Sequence, residues 1–199
     1  MIFVSHRRNT LEELRDTPSK YGVEVDIRSY GDQLIIHHDP FRKGVIFGEW
    51  IAAYQHRTLI LNVKEEGLEE RLIKLMQKYN IADFFFLDQS FPFLVKWANA
   101  GEPRCAARVS EFESIDTAFS LAGKINWIWV DCFTKFPLSY VDAQRLKGKG
   151  FRLCIVSPEL QGRNAELEIP MLATQLLDQN IEIDAVCSKR PDLWEQSLI

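Results

Sequence analysis

The sequence has no long apolar run. Its first ten residues, MIFVSHRRNT, turn polar after three apolar residues beyond the methionine, which is too short for the apolar core of a signal peptide. Every later apolar run stays well below the roughly 18 residues that a membrane-spanning helix needs. We therefore expect a cytosolic protein without a transmembrane segment.

Concentrated basic charge is also lacking. The chain carries 24 Lys and Arg residues against 28 Asp and Glu residues, for a net charge of -4, and the basic residues are scattered. Nucleic acids and anionic membranes attract proteins through massed Lys and Arg side chains. The composition argues against both as partners and leaves the oligomeric state open.

The cysteines show no metal-ligand or redox spacing. They stand at positions 105, 132, 154 and 187 without a CxxC pair, and three of them lie in apolar runs. Structural zinc sites and redox pairs have characteristic spacings that are missing here. We expect reduced cysteines in the core.

The sequence does contain eight short β-rich runs, separated for the most part by helix-length amphipathic segments. With 199 residues, 46% of them hydrophobic, the chain can bury one substantial core, so we expect a single domain over residues 1–199. The runs cover residues 2–6, 22–28, 58–64, 83–90, 105–110, 127–133, 151–157 and 183–188.

The alternation of strands and helices predicts an α/β fold with a parallel sheet covered on both faces. Eight repeats favour a small (β/α)8 TIM barrel, and a doubly wound open sheet is the alternative. A second short strand, QLIIHHD, replaces a helix after strand 2. The segment 67–80 predicts a helix because Leu68, Leu72, Leu75 and Met76 share one face. The run KEEGLEER, residues 64–71, predicts that this helix starts in solvent.

Polar residues cluster where the predicted strands end. In barrels the carboxyl ends of the strands carry the chemistry, so this pattern predicts an active site there. For Asp131, a role at this site and a role in capping a helix are equally favoured. The residues are His6, Arg7, Asp26, Arg28, Asn62, Lys64, Asp88, Ser90, Ser110, Asp131, Ser157, Ser188 and Lys189.

The stretch YGVEVDIRSYGDQLIIHHDPF, residues 21–41, is the most unusual part of the chain. Glu24 and Asp26 alternate along a strand and therefore face the same way. Burying two carboxylates costs several kcal/mol unless a cation or hydrogen bonds compensate. This pattern favours a metal or phosphate site.

Taken together, the motifs resemble the glycerophosphodiester phosphodiesterase family, which belongs to the wider group of barrels that includes phosphatidylinositol-specific phospholipase C. The resemblance spans the whole chain in order. It is carried by His6-Arg7 with Asn9-Thr10, Glu24-x-Asp26, Gly31-Asp32 leading to His38-Asp39, Asn62-x-Lys64, and Pro191-Asp192.

This resemblance implies a phosphoric diester hydrolase of the type found in lipid metabolism, acting on a small phosphodiester similar to a glycerophosphodiester. It implies that His6 and His38 are the catalytic acid/base pair, since imidazole titrates in the range that proton transfer needs. Arg7 and Lys64 would bind the phosphate, through a planar fork and a point charge. Attack by a neighbouring hydroxyl of the substrate would first give a cyclic phosphate.

The resemblance also implies a divalent metal ion, Mg or Ca, bound by oxygen ligands. Glu24 and Asp26 are the expected ligands, with Asn62 at the position where the family has a third acid. Asn62 brings no charge, and Glu66 is an alternative third ligand if the strand continues.

Other departures from the family concern the loops. Arg8 stands where the family has glycine, and residues 40–57 form a shorter segment than the one that covers the alcohol of the substrate in typical members. An open pocket of this kind suits a bulkier alcohol. The alternative function is a degenerate, non-catalytic barrel that binds a phosphorylated ligand or a partner protein.

Overall fold

A computed structural model describes residues 1–198, which contain ten β-strands. Each of the eight predicted runs holds one strand, and the hairpin strand β3 is also where the sequence predicts it. The additional strand, β4, was not predicted. The strands are β1 (Ile2–Ser5), β2 (Gly22–Tyr30), β3 (Gln33–Ile36), β4 (Val45–Ile46), β5 (Leu59–Val63), β6 (Phe84–Leu87), β7 (Ala106–Val109), β8 (Trp127–Val130), β9 (Arg152–Val156) and β10 (Ala185–Ser188).

Helices follow most of the strands, as the alternating pattern predicts. They are α1 (Leu11–Asp16), α2 (Phe47–Ala52), α3 (Glu69–Lys78), α4 (Phe91–Asn99), α5 (Ile115–Phe119), α6 (Tyr140–Gly148), α7 (Ala165–Asp178) and α8 (Pro191–Ser197), with a short 3-10 helix at Pro158–Gln161. None of the helices within residues 1–198 combines the length and the apolar character needed to cross a bilayer.

Helix α3 confirms one expectation and corrects another. Leu72 and Met76 are buried, as the apolar face predicts. Glu69, however, does not lie in solvent. It is fully buried and accepts a hydrogen bond from Nε2 of Gln89 at 2.9 Å. The charge pattern was misleading because the loop after β6 covers the first turn of α3 and supplies a polar partner.

The sheet is mainly parallel and curled. Strand β1 pairs with β10 and β2, the series continues through β5 to β6 on one side, and it continues through β9 and β8 to β7 on the other, all in parallel. The outer edges of β6 and β7 meet at a parallel bridge between Phe86 and Cys105. Strands β3 and β4 extend the sheet from β2 with antiparallel pairing. The predicted parallel α/β fold is therefore confirmed as a curled sheet surrounded by helices.

The strands separate two apolar clusters. The larger one lies between the sheet and the helices. The smaller one lies on the inner face, where Phe85 stacks on Trp127 with ring centroids 4.5 Å apart. The tryptophans at 127 and 129 and the phenylalanines at 84–86 are thus core residues, as are all four cysteines, which are free and buried. The inner cluster comprises Val4, Ile60, Phe85, Leu87, Ala106, Trp127, Trp129, Cys154, Val156, Ala185 and Cys187.

Strand β2 contributes no residue to this inner cluster. At the corresponding positions β2 buries Glu24 and Asp26 instead. These two residues are in register with Ile60 and Asn62 of the neighbouring β5. Because side chains alternate along a strand, Asn62 lies on the same face as Ile60. The inner face therefore changes from apolar to polar toward the carboxyl ends of the strands.

Candidate active site

The loop after β1 folds over β2. Its backbone is held by hydrogen bonds from His6 N to Ser188 O and from Arg8 N to Glu24 O, both 2.9 Å. Arg7 adopts a φ of 51°, and its N–H donates to Oε2 of Glu24 at 2.8 Å. The His6 ring lies beside the same carboxylate, with Nε2 3.8 Å from Oε2. The loop conformation thus places an imidazole against the first acid of β2.

The Asn9-Thr10 motif has two separate roles. Nδ2 of Asn9 donates to Oδ2 of Asp26 at 2.8 Å, and Oδ1 of Asn9 accepts the Asp26 N–H at 3.0 Å. Thr10 instead starts α1, forming a capping box with Glu13. One residue of the motif orients a buried acid, and the next determines where the helix begins.

Strand β5 supplies further partners for the two acids. Nδ2 of Asn62 donates to Oε1 of Glu24 at 2.8 Å, and Nζ of Lys64 lies 3.2 Å from Oδ1 of Asp26. From the other side, Nε of Arg7 lies 3.4 Å from Oδ2 of Asp26. The structure therefore brings together six of the residues singled out in the sequence: His6, Arg7, Glu24, Asp26, Asn62 and Lys64.

Burial governs the protonation of this cluster. It lowers the pKa of His6 to about 3, and the nearby Arg7 charge adds to the effect while Asp26 opposes it. Burial also raises the pKa of Glu24, as does the charge of Asp26, against the hydrogen bond from Asn62. Near neutral pH the imidazole of His6 is therefore uncharged.

The segments that carry His6 and His38 lie along the same edge of β2. Strand β5 occupies one edge, so β1 and β3 share the other. Along this shared edge, Arg8 N bonds to Glu24 O, and two residues further on His37 N bonds to Asp26 O at 3.1 Å. The hairpin therefore returns the chain to the level of the two acids.

The ring of His38 is oriented by its neighbour in sequence. Its Nδ1 lies 2.8 Å from Oδ1 of Asp39, and the side chain is 44% exposed. The hydrogen bond from His38 lowers the pKa of Asp39. Arg28 donates twice to the His38 carbonyl, at 3.0 and 2.9 Å, and once to that of Lys64 at 3.1 Å. An imidazole whose Nδ1 is held by a carboxylate presents Nε2 to a ligand.

A chain of ion pairs continues from Lys64 across neighbouring strand ends. Nζ of Lys64 lies 3.3 Å from Oδ2 of Asp88, and the other oxygen of Asp88 pairs with Arg108, whose guanidinium also binds Asp131. Gln161 donates to Asp131 at 2.6 Å. Asp131 thus belongs to this polar end of the sheet and caps no helix. Arg108 was missed in the sequence, although a charge within the small, apolar run CAARVS was a usable signal.

The motif resemblance predicts a divalent metal ion that is bound by oxygen ligands. Within residues 1–198, no group of three or more His, Cys, Asp and Glu side chains could hold a metal ion. Oδ1 of Asn62 is buried without a hydrogen-bond partner among these residues, and Oδ1 of Asp26 faces the Lys64 ammonium at 3.2 Å. Oxygen acceptors of this kind suit a hard divalent cation. Glu66 is exposed and accepts a hydrogen bond from Ser90, so Asn62 is the better-placed third ligand.

Comparisons with known proteins identify solved structures of similar fold. No family model and no curated protein sequence matches the chain. Among solved structures, it is similar to a glycerophosphoryl diester phosphodiesterase from Parabacteroides distasonis, with a TM-score of 0.67 and 14% identity over 99% of this chain and 85% of the other. It is also similar to a glycerophosphodiester phosphodiesterase from Agrobacterium tumefaciens, with a TM-score of 0.64 and 12% identity over 98% of both chains. The curled α/β fold of the chain is therefore similar to that of two solved structures described as phosphodiesterases of this kind.

Proposed function

We propose that the protein is a phosphoric diester hydrolase that cleaves a small, glycerophosphodiester-like molecule. The observation that supports this most is the buried pair Glu24 and Asp26, flanked by His6 and by Lys64 at the carboxyl ends of parallel strands. The fold is shared with two structures described as phosphodiesterases of this kind. Buried acids beside an imidazole and an ammonium group suit a phosphate and a cation together.

The proposed fold is a small (β/α)8 barrel formed by the eight parallel strands. The Phe86–Cys105 bridge between the edges of β6 and β7 supports closure. We also propose that residues 1–199 form a single cytosolic domain that acts in lipid metabolism and does not bind nucleic acid.

The proposed metal ligands are Glu24, Asp26 and Asn62, and the proposed ion is Mg or Ca. When bound, the cation would neutralise charge on the nonbridging oxygens of the phosphate. Asn62 supplies an oxygen without a charge, so we expect weaker metal binding than with three carboxylates.

Arg7 and Lys64 are the proposed phosphate ligands. The Arg7 side chain is 45% exposed, which allows its planar fork to turn toward an incoming phosphate. The Lys64 side chain is 15% exposed and lies between two carboxylates, those of Asp26 and Asp88. It supplies a fixed positive charge next to the proposed metal ligands.

Two histidines are the proposed acid/base pair. The partly buried ring of His6 lies beside Glu24, and we assign it the role of accepting the proton of the attacking hydroxyl. His38, oriented by Asp39, donates a proton to the leaving oxygen. Attack by a neighbouring hydroxyl of the substrate would give a cyclic phosphate and release the alcohol.

Replacing each histidine by alanine tests these roles. Turnover of unactivated glycerophosphodiesters and of glycerol p-nitrophenyl phosphate, which all carry the neighbouring hydroxyl, would be measured with Mg, Ca, Mn and a chelator. We expect His6→Ala to lower the rate on every substrate by roughly 100- to 10,000-fold. His38→Ala should have a much smaller effect with p-nitrophenolate, which leaves without a proton. His56→Ala is the matched control, because that ring bonds to Thr17 O outside the cluster.

Two outcomes would contradict the proposal. If the unmodified protein turned over no phosphodiester with any metal, the non-catalytic binding function would replace hydrolysis. If both histidine variants lost equal activity on activated and unactivated substrates, the division into acid and base would be wrong.

A further inference from the structure

A cavity of about 570 Å³ opens between β6 and β7. Within residues 1–198 the pairing of these strands is limited to the Phe86–Cys105 bridge, which lies just N-terminal to the stretch where both strands line the cavity. Among the residues that line the cavity, Ala106 belongs to the inner apolar cluster, and Ala107 and Leu94 belong to the outer cluster. The cavity therefore passes through the wall of the sheet where the two strands separate.

This cavity adjoins the candidate active site. Asp88 and Arg108 belong to its lining, and the same Asp88 carboxylate binds Lys64, whose Nζ also contacts Asp26. One side chain, that of Asp88, therefore lies between this cavity and a phosphate bound at Lys64.

The charges at the inner end disfavour an anionic occupant. The Arg108 guanidinium is shared among three carboxylates, those of Asp88, Asp131 and, at 3.8 Å, Glu113. Even with Lys64, which also pairs with Asp88, these three acids exceed the two positive charges beside them. A second phosphate or a carboxylate on the substrate would meet net negative charge here.

Six of the twelve residues that line the cavity are polar or charged, and the other six provide an apolar surface that continues to the entrance. Leu87 and Leu94 are buried in the lining. Phe91 and Phe112 also line the cavity and are 50% and 79% exposed, so their apolar surface faces solvent until something covers it. Large exposed aromatic side chains beside a cavity are typical of ligand sites.

We propose that this cavity holds an unbranched alkyl chain carried by the alcohol of the phosphodiester, an inference that rests on the proposed function. An apolar cavity of about 150 Å³ already takes up benzene, so the space here accommodates a chain of several carbons. The preferred substrates are then phosphodiesters of alkyl-bearing alcohols, such as those with a lipid-like tail.

Binding of O-alkyl methylphosphonates to the full chain tests this proposal without requiring turnover. These stable analogues of a phosphodiester would be compared from methyl to octyl by calorimetry in buffer containing Mg. Transfer of one methylene from water to an apolar site is worth up to ~4-fold in affinity. We expect the dissociation constant to fall about 2- to 4-fold per added carbon until the cavity is filled.

A cavity-blocking variant shows where the chain binds. Thr117 is an exposed residue of α5 that lines the cavity, so Thr117→Trp should fill the space and abolish the dependence on chain length. Affinity for the methyl compound should stay unchanged. Thr174→Trp is the matched control, because Thr174 is also an exposed helical threonine and lines a separate cavity on α7.

The same alkyl series as glycerol alkyl phosphodiesters, whose glycerol supplies the neighbouring hydroxyl and whose alkyl alcohol leaves, separates this inference from the proposed function. If no ester is turned over but binding of the phosphonates depends on chain length and is blocked by Thr117→Trp, hydrolysis is wrong and the alkyl site stands. If the esters are turned over but neither rate nor binding changes with chain length, the alkyl site is wrong. If the dependence of affinity on chain length persisted in Thr117→Trp, the proposed alkyl site would also be wrong.

Discussion

Replacing Asn62 by aspartate tests whether the cluster around β2 is built for a cation. Asn62 is 6% exposed and donates from Nδ2 to Oε1 of the buried Glu24 at 2.8 Å. The change to aspartate removes this donor and adds a third carboxylate beside Glu24 and Asp26. The size of the side chain hardly changes, so the effect is electrostatic.

Two contributions determine how much stability Asn62→Asp should lose. Loss of a hydrogen bond to a charged group costs about 1.5–3 kcal/mol. Repulsion between two carboxylates about 4 Å apart is on the order of 4 kcal/mol at an effective dielectric constant of ~20, and uptake of a proton limits it. We expect the free energy of unfolding of Asn62→Asp to fall by about 3–5 kcal/mol without metal. At about 2–4 °C per kcal/mol for a chain of this size, the melting temperature drops by roughly 6–20 °C.

Thermal unfolding with a chelator and with Mg, Ca or Mn provides the assay. A cation present at about 100 times its dissociation constant stabilises the folded state by ~2.7 kcal/mol, and a third carboxylate should bind it more tightly. We therefore expect metal to restore most of the loss in the variant and to stabilise it more than the unmodified protein.

The control for this prediction is Asn164→Asp. Asn164 is exposed and caps α7 by accepting the N–H of Leu167, a role that aspartate fills equally well. The stability of Asn164→Asp should hardly differ from that of the unmodified protein, with the chelator or with metal. The reasoning is refuted if Asn62→Asp is as stable as the unmodified protein in chelator, or if metal leaves its deficit unchanged.

Three further predictions concern stability and are measured by urea unfolding. Arg108→Met leaves the carboxylate of Asp131, 2% exposed, without its cation and should cost about 3 kcal/mol, of which Arg108→Lys recovers only part. Trp194→Phe removes the 2.7 Å bond from Nε1 to Ser157 Oγ and should cost about 1–2 kcal/mol, and an unchanged midpoint would contradict this. Burial raises the pKa of Glu111, but hydrogen bonds from backbone N–H groups outweigh it and lower the pKa to about 2. Its stabilisation is therefore present above about pH 4.5 and lost toward pH 2, so Glu111→Gln should cost ~1 kcal/mol at neutral pH and nothing near pH 2.

The parallel strands were predictable because each is a continuous apolar run between amphipathic helices. Strand β4, at Val45–Ile46, carries no such signal, since two residues show no periodicity and pair with β3 only through the tertiary fold. Its neighbour Gly44 shows the same dependence, because a Cβ there would lie 2.0 Å from Ile36 O. Such close approaches between segments are invisible in a single sequence.

The polar side chains of the site were predictable, but their partners were not. The alternation of side chains along a strand predicts that Glu24 and Asp26 share a face. The order of the motifs along the chain predicts that His6 and Lys64 belong to the same site. The pairing of Asn9 with Asp26 could not be derived from their spacing, because it depends on how the loop after β1 folds over β2. Arg108 was missed since one charge in a short strand is weak evidence until its three acidic neighbours are known.

The position of Glu24 and Asp26 argues that stability alone does not explain them. All the other parallel strands contribute apolar side chains to the inner cluster, whereas β2 buries two carboxylates at the corresponding place. The hydrogen bonds from Arg7 N, Asn9 and Asn62 offset part of the desolvation cost, yet well-packed apolar residues in place of buried ionic groups are often neutral or stabilising. A fold that could fill this space with apolar residues instead keeps two acids, with Oδ1 of Asn62, unpaired within residues 1–198, beside them. Proteins retain such groups where activity needs them at the expense of stability, and parallel α/β sheets bind their ligands at the carboxyl ends of the strands.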